Sequence, residues 1–316
     1  EAQKAGDKFK LYTEDPSEVI NAVMVYAHIH NLKVISITTL GPSLEDVFIR
    51  LTVCSGQVRK YMLSTENKGL AKRLSCELSA AWAIAKKDMR IYYFKPNIIV
   101  SGLFFPLFMF LAFAIGKNTP PGNLIPGLIS ITLLFSASSI EPVSIPIERR
   151  VKTFERLLSV PISLYSLVTG ESLSGFLYSL GIACLPLAIG VIVFGTPILN
   201  VPILIISMAL TAFCFATLGT LFAAYPTENV GEVMSILNTV RLPLIFISGV
   251  FIPISAMPKI GQQIALVSPL TYGNDMIEYA YTGKSLFPPL LDILALVIFI
   301  LIFQVTANYL YKKFNE

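Results

Sequence analysis

Long apolar runs separated by short polar segments dominate this chain from residue 97 onward. A helix needs about 20 mostly apolar residues to cross a bilayer. Six stretches meet that length, roughly 97–115, 124–147, 167–194, 201–224, 233–252 and 290–311. Ahead of them, 73–96 reads as an amphipathic helix, with Leu78, Trp82, Ile84, Ala85 and Met89 beside Lys86, Lys87 and Arg90. Aromatic and basic residues together predict a position in the interface plane, with Trp82, Tyr92, Tyr93 and Phe94 at headgroup level.

The first residues follow another pattern. Segments 9–13 and 32–39 read as strands, 17–31 as a helix with Val19, Val23, Tyr26 and Ala27 on one face, and 43–51 as a helix capped by Ser43. The domain plan is therefore an α+β segment at 1–53, a polar linker at 54–72, the interfacial helix at 73–96 and a membrane domain at 97–316. A unit as short as 1–53 buries little core on its own. It is expected to complete a larger domain lying upstream of Glu1.

Composition agrees with a mainly α, polytopic membrane protein: 54% of residues are hydrophobic and 14% charged, where soluble domains average about 25% charged. The net charge of +4 follows from membrane topology and needs no nucleic-acid partner. Cys54, Cys76, Cys184 and Cys214 lack CxxC spacing, and His28 and His30 are the only histidines. Neither a disulfide framework nor a metal site is expected.

Basic residues set the orientation. Lys86, Lys87, Arg90 and Lys95 precede the first span, Arg149, Arg150, Lys152 and Arg156 follow the second, and Lys312 and Lys313 close the last. The opposite loops hold Lys117, Lys259 and Lys284, so both termini are expected in the cytosol of a plasma-membrane protein. Between the fifth and sixth spans, 253–289 is too long for a hairpin and too apolar for a solvated loop. Short proline-broken helices dipping back into the outer leaflet fit it. Its Thr282-Gly283-Lys284-Ser285 is no phosphate loop, because Glu278 stands where the first glycine belongs.

Charged residues inside spans are costly and mark function or structural pairing. Glu141 in span two and Arg241 in span five stand out, with Ser136, Ser138, Ser139 and Asn238 nearby. Asp275 and Glu278 are expected to be solvated. The charged run from Glu148 to Ser163 between spans two and three reads as a short amphipathic helix, with Val151, Phe154, Leu157 and Leu158 on one side and Arg149, Arg150, Lys152 and Arg156 on the others.

That run, the Gly170-Glu171 after it, and Ser248-Gly249-Val250-Phe251-Ile252-Pro253 followed by Pro269-Leu270-Thr271-Tyr272 resemble the ABC-2 type membrane subunits, the permease halves of ABC exporters. Leu40 to Thr52 resembles the closing stretch of drug-export-type ABC ATP-binding subunits. The resemblance implies an ABC-2 exporter fold, dimers of permeases (homo- or heterodimers), and an ATPase, fused or separate, that carries the ATP and Mg. No cofactor is expected on this chain, which has no Walker motif and is not expected to act as an enzyme. Export of a drug, lipid or polysaccharide-like substrate, as in multidrug efflux, is implied. By the same resemblance Glu148, Arg149, Arg150, Lys152, Thr153, Phe154, Glu155, Arg156, Leu157 and Leu158 form the coupling helix. Phe154, Leu157 and Leu158 would enter an ATPase groove. Ser136, Ser139, Glu141, Asn238 and Arg241 would line the substrate pathway, and Arg241→Ala would change substrate preference more than protein level. An ATP-independent secondary transporter and a non-transporting scaffold on the same fold are the alternatives.

Overall fold

The structure is a computed structural model that describes residues 2–5, 8–11, 26, 29, 70–114, 121–159 and 162–315. The chain divides into two compact units, Glu1–Lys68 and Gly69–Glu316, a boundary inside the 54–72 segment. In the first unit, β1 (Ala2–Ala5) pairs antiparallel with β2 (Lys8–Leu11), setting Ala2 opposite Leu11. Thus β2 covers the start of the expected 9–13 strand. Tyr26 and Ile29 are helical and exposed. The other expected elements of 1–53 lie outside the described residues.

Among the described residues of the second unit the regular elements are helices. The unit opens with α1 (Leu70–Ile91), then α2 (Pro96–Ile99), a π turn (Val100–Phe104) and α3 (Phe105–Ala114). These last three make one helical run where the first span was expected. α4 (Pro121–Ala137) and α5 (Glu141–Arg150) share the second span, and α6 (Thr153–Ser159) follows. The next spans are α7 (Leu164–Ala188, extended by a π turn at Ile189–Val193), α8 (Val201–Ala223) and α9 (Val230–Ile247). The expected proline-broken segment becomes a 3-10 turn (Ile254–Ala256), α10 (Lys259–Ala265) and α11 (Pro269–Thr282), before α12 (Pro289–Asn315). Among the described residues five helices are long and apolar enough to cross a membrane by themselves.

Burial sorts these helices. Within the span 124–150 the apolar window is 94% buried, against 17% for α12 and 22% for α9, so α4–α5 is the axis around which the others pack. Leu128, Ile131, Leu134 and Phe135 of α4 meet Phe215 and Leu218 of α8, Leu237 and Ile245 of α9, and Leu270 of α11. At about 1.5 Å per residue α11 is too short to cross. It is buried from Pro269 to Ile277 against α4, α8 and α12, as a re-entrant helix whose polar backbone is enclosed by protein. Gly283 ends it in the left-handed region at φ 70°, its N–H bonded to Tyr279 O at 2.9 Å. The glycine of the phosphate-loop look-alike is a helix C-cap.

The interfacial helix corrects its expected face. Among the residues of α1 whose side chains are described, Ala81, Ile84, Ala85 and Asp88 are buried, whereas Leu78 and Trp82 are exposed. Tyr92 is buried as well, and Tyr93 donates to Ser174 O at 2.7 Å and packs on Tyr178, so of the four headgroup aromatics only Trp82 and Phe94 are exposed. α1 lies against α7, and a Cβ at Gly170 would stand 2.7 Å from Ala81 O.

Candidate functional site

The central span breaks at Ser138–Ile140, between α4 and α5, because Pro142 has no N–H to return to the Ser138 carbonyl. The break exposes the last carbonyls of α4, the negative end of its dipole, in the middle of the bundle. Arg241 of α9 answers it. This fully buried guanidinium donates from Nε to Ser138 Oγ at 2.9 Å, from Nη2 to Ser139 Oγ at 3.2 Å and from Nη1 to Asn238 Oδ1 at 3.3 Å, and sits 5.3 Å from the Phe135 ring. Both serines spend their protons on backbone carbonyls one turn back, Ser138 on Leu134 and Ser139 on Phe135, which leaves their lone pairs for the arginine.

Glu141 occupies the same layer but holds different partners. Its Oε1 accepts the Gly175 N–H of α7 at 3.0 Å, and its Oε2 has no hydrogen-bond partner among the described residues. Glycine is required on both flanking helices. A Cβ at Gly175 would lie 2.5 Å from Glu141 Oε1, and one at Gly219 of α8 would lie 2.9 Å from Oε2 and 2.8 Å from Ser138 Cα. Of the expected pathway residues, Ser139, Asn238 and Arg241 come together at the break, with Glu141 beside them. Ser136 turns its hydroxyl to Thr132 O. Asn238 is half-buried and the other four are enclosed.

A second polar cluster stands at the α5–α6 end. Lys87 of α1 bridges Glu148 of α5 at 2.7 Å, Asp88 at 3.1 Å and Glu171 of α7 at 3.4 Å, while Tyr92 donates to Glu148 at 3.2 Å. Burial works to lower the Lys87 ammonium, but the carboxylates of Glu171, Asp88 and Glu148 outweigh it and push it above its ordinary range. Burial pushes the Asp88 carboxyl up to about 6, with Lys87 pulling the other way. One cation thus holds three helices together. Sequence reading passed over this cluster, although Glu171 is a charge inside an expected span, as is Asp292 in the last one. Both are fully buried, and Glu141 is not the only carboxylate within the spans.

The charged run departs from a single helix. α5 ends at Arg150, the chain turns through Val151 and Lys152, with Lys152 left-handed at φ 63°, and α6 starts at Thr153. Phe154 points inward: it is 1% exposed, packs on Tyr311 of α12 at 6.0 Å and carries the Arg149 guanidinium 5.1 Å from its ring. Arg149 also donates to Ala224 O at 3.4 Å. Leu157 and Leu158 are partly buried against the same core of Ile84, Ile145, Leu167 and Tyr311. The outward surface is Arg150, Val151, Lys152, Thr153, Glu155 and Arg156. The expected solvation of Asp275 also fails, since it is 8% exposed; Glu278 is exposed as expected.

This broken central span, the buried re-entrant helix and the exposed basic elbow coincide with a family match: residues 79–282 fit the ABC-2 type transporter model. The chain belongs to the ABC-2 type transporter family. It is a multi-pass membrane permease by fold. It is 22% identical over 190 residues to the inner membrane transport permease YadH of Escherichia coli K12, which covers 60% of this chain and 74% of that protein. The same protein of Shigella flexneri matches to the same extent.

Proposed function

We propose that this chain is the membrane-spanning half of an ATP-driven exporter, moved by an ATP-binding partner or fused domain that docks on the α5–α6 elbow. The observation that carries the reading is the construction of that elbow. Its outer surface is exposed and basic, while its inner surface is keyed by Phe154 to α12, by Arg149 to the end of α8 and by Glu148 through Lys87 to α1 and α7. Force applied to a surface tied in this way reaches every helix it is tied to. A cleft of about 500 Å³ beside it, lined by Ile147, Arg150, Thr227, Glu228, Asn229 and Val230, offers room for a docked element.

In this reading the elbow faces the cytosol, as its basic residues favour, and the protein sits in the inner (plasma) membrane, as the relative's name says of YadH. Two copies, or this chain with a related permease, flank the pathway. The resemblance of residues 40–52 to the closing stretch of an ATP-binding subunit supports a fused ATP-binding domain as one of the two arrangements, a separate ATPase subunit being the other. The cargo is a drug, lipid or polysaccharide-like molecule. Since Phe154 is a core residue, its replacement would unfold the elbow, and the test belongs on the surface. Arg150→Glu with Lys152→Glu, reconstituted with the cognate ATPase, is expected to insert normally and lose transport-stimulated ATP hydrolysis. Undiminished stimulation would overturn the docking assignment.

A further inference from the structure

Two acidic side chains near the start of α12 have no part in the reading above. Asp275 of α11 and Asp292 of α12 are 8% and 0% exposed. Tyr311, which meets α6, lies about 28 Å further along the same helix at 1.5 Å per residue, so the pair sits at the end of the bundle remote from the elbow. The two carboxyls are provided for unequally. Asp275 accepts the Leu286 N–H at 2.8 Å on Oδ1 and 3.0 Å on Oδ2, and the Phe287 N–H at 2.9 Å on Oδ2. Neither oxygen of Asp292 finds an N–H or O–H donor among the described residues, and the polar group it meets is the Asp275 carboxyl.

Among the described residues the surroundings supply no compensating charge. The neighbouring faces of α8 and α4 offer Thr211, Cys214 and Ser130, the last bonded to Asn274. Arg241 of α9 is engaged at Ser138 and Ser139. Glu278, on α11 itself, is exposed and adds only negative charge. Lys284 in the following loop is exposed and forms no ion pair with either aspartate. Tyr272 covers the site with its ring, 5.8 Å from Phe287 and 6.3 Å from Phe299.

Two carboxylates in contact and away from water cannot both be ionised. The backbone N–H groups favour the anion on Asp275, which leaves the proton on Asp292. We infer that Asp275 and Asp292 form a proton-binding site in which the Asp292 O–H donates to the Asp275 carboxylate and staples the start of α12, and the loop 283–288, to the re-entrant helix. With the proton bound, one continuous set of hydrogen bonds joins α12 through Asp275 to the backbone of Leu286 and Phe287. Its loss leaves two like charges in contact and frees the loop. The site depends on neither the ATPase nor the substrate, so it stands or falls separately from the exporter reading.

The test compares the intact chain with Asp292→Asn and Asp292→Ala, purified in detergent, by thermal unfolding from mildly acidic to mildly alkaline pH. Asp292→Asn keeps the shape and donates an amide N–H that cannot ionise. It is expected to match the parent at acid pH and to hold its midpoint where the parent's falls. Asp292→Ala is expected to be less stable than the parent at acid pH. A second readout is the rate at which an impermeant maleimide labels Ser285→Cys. Divided by the rate in the Asp292→Asn background at the same pH, which cancels the thiol's own titration, it is expected to rise several-fold toward alkaline pH. Parallel pH profiles for the parent and Asp292→Asn, or a flat labelling ratio, would overturn the site.

Discussion

Arg241 and Glu141 are the charges that an apolar sequence makes conspicuous, and their partners are what it hides. Each stands alone in a greasy run. Both are fully enclosed, yet no direct ion pair joins them: Arg241 bonds to Ser138, Ser139 and Asn238, and Glu141 to the Gly175 N–H. Which hydroxyls face the guanidinium depends on the break after Ala137, and hence on rotation of α4 about its axis. This rotation is a three-dimensional fact that spacing does not encode. The burial also changes what Arg241→Ala should do. Removing the side chain strips its hydrogen bonds and empties a large volume, so a loss on the order of 3 kcal/mol is expected, read as a lowered thermal midpoint in detergent. An unchanged midpoint would mean that the site is wet and open.

At the scale of elements, the elbow shows where periodicity misleads. An amphipathic pattern across 149–158 reads as one helix, but Lys152 at φ 63° turns the chain and separates α5 from α6. Phe154 is thereby swung into the core beside Tyr311. The Lys152–Glu155 ion pair, at 3.4 Å with both side chains exposed, adds little. The backbone conformation dominates instead. Lys152→Val is expected to be about 1–2 kcal/mol less stable than Lys152→Gly, because the left-handed region excludes a β-branched side chain and suits glycine. Parallel thermal unfolding of the two variants measures it, and equal midpoints would show that residue 152 does not occupy that region.

Across the whole molecule, the Lys87 cluster ties α1 to the central and third spans and carries a pH signature. Folding moves Asp88 from an ordinary 3.8 up to about 6, so the folded chain holds that proton more tightly than the unfolded one. The contribution is greatest in acid and is lost as pH rises from 3.8 through about 6. Asp88→Asn should remove this part of the slope within that window while leaving the chain folded; identical midpoint profiles for the parent and the variant would refute it.

Sequence by itself determined the membrane class, the positions of the apolar spans, the proline-broken segment before α12, and the family motifs at 148–163, 170–171, 248–253 and 269–272. These are properties of composition, run length and local order, and the bilayer reads them in the same terms. Tertiary structure alone decided the rest: that Asp88, Glu148 and Glu171 gather around Lys87, that Phe154 faces inward, and that Asp275 is sealed against Asp292. The Lys87 cluster depends on helices distant in sequence meeting at a glycine-thin contact, Gly170 against Ala81. A buried charge is tolerated only where such contacts bring it a partner, and the choice of partner is made by packing.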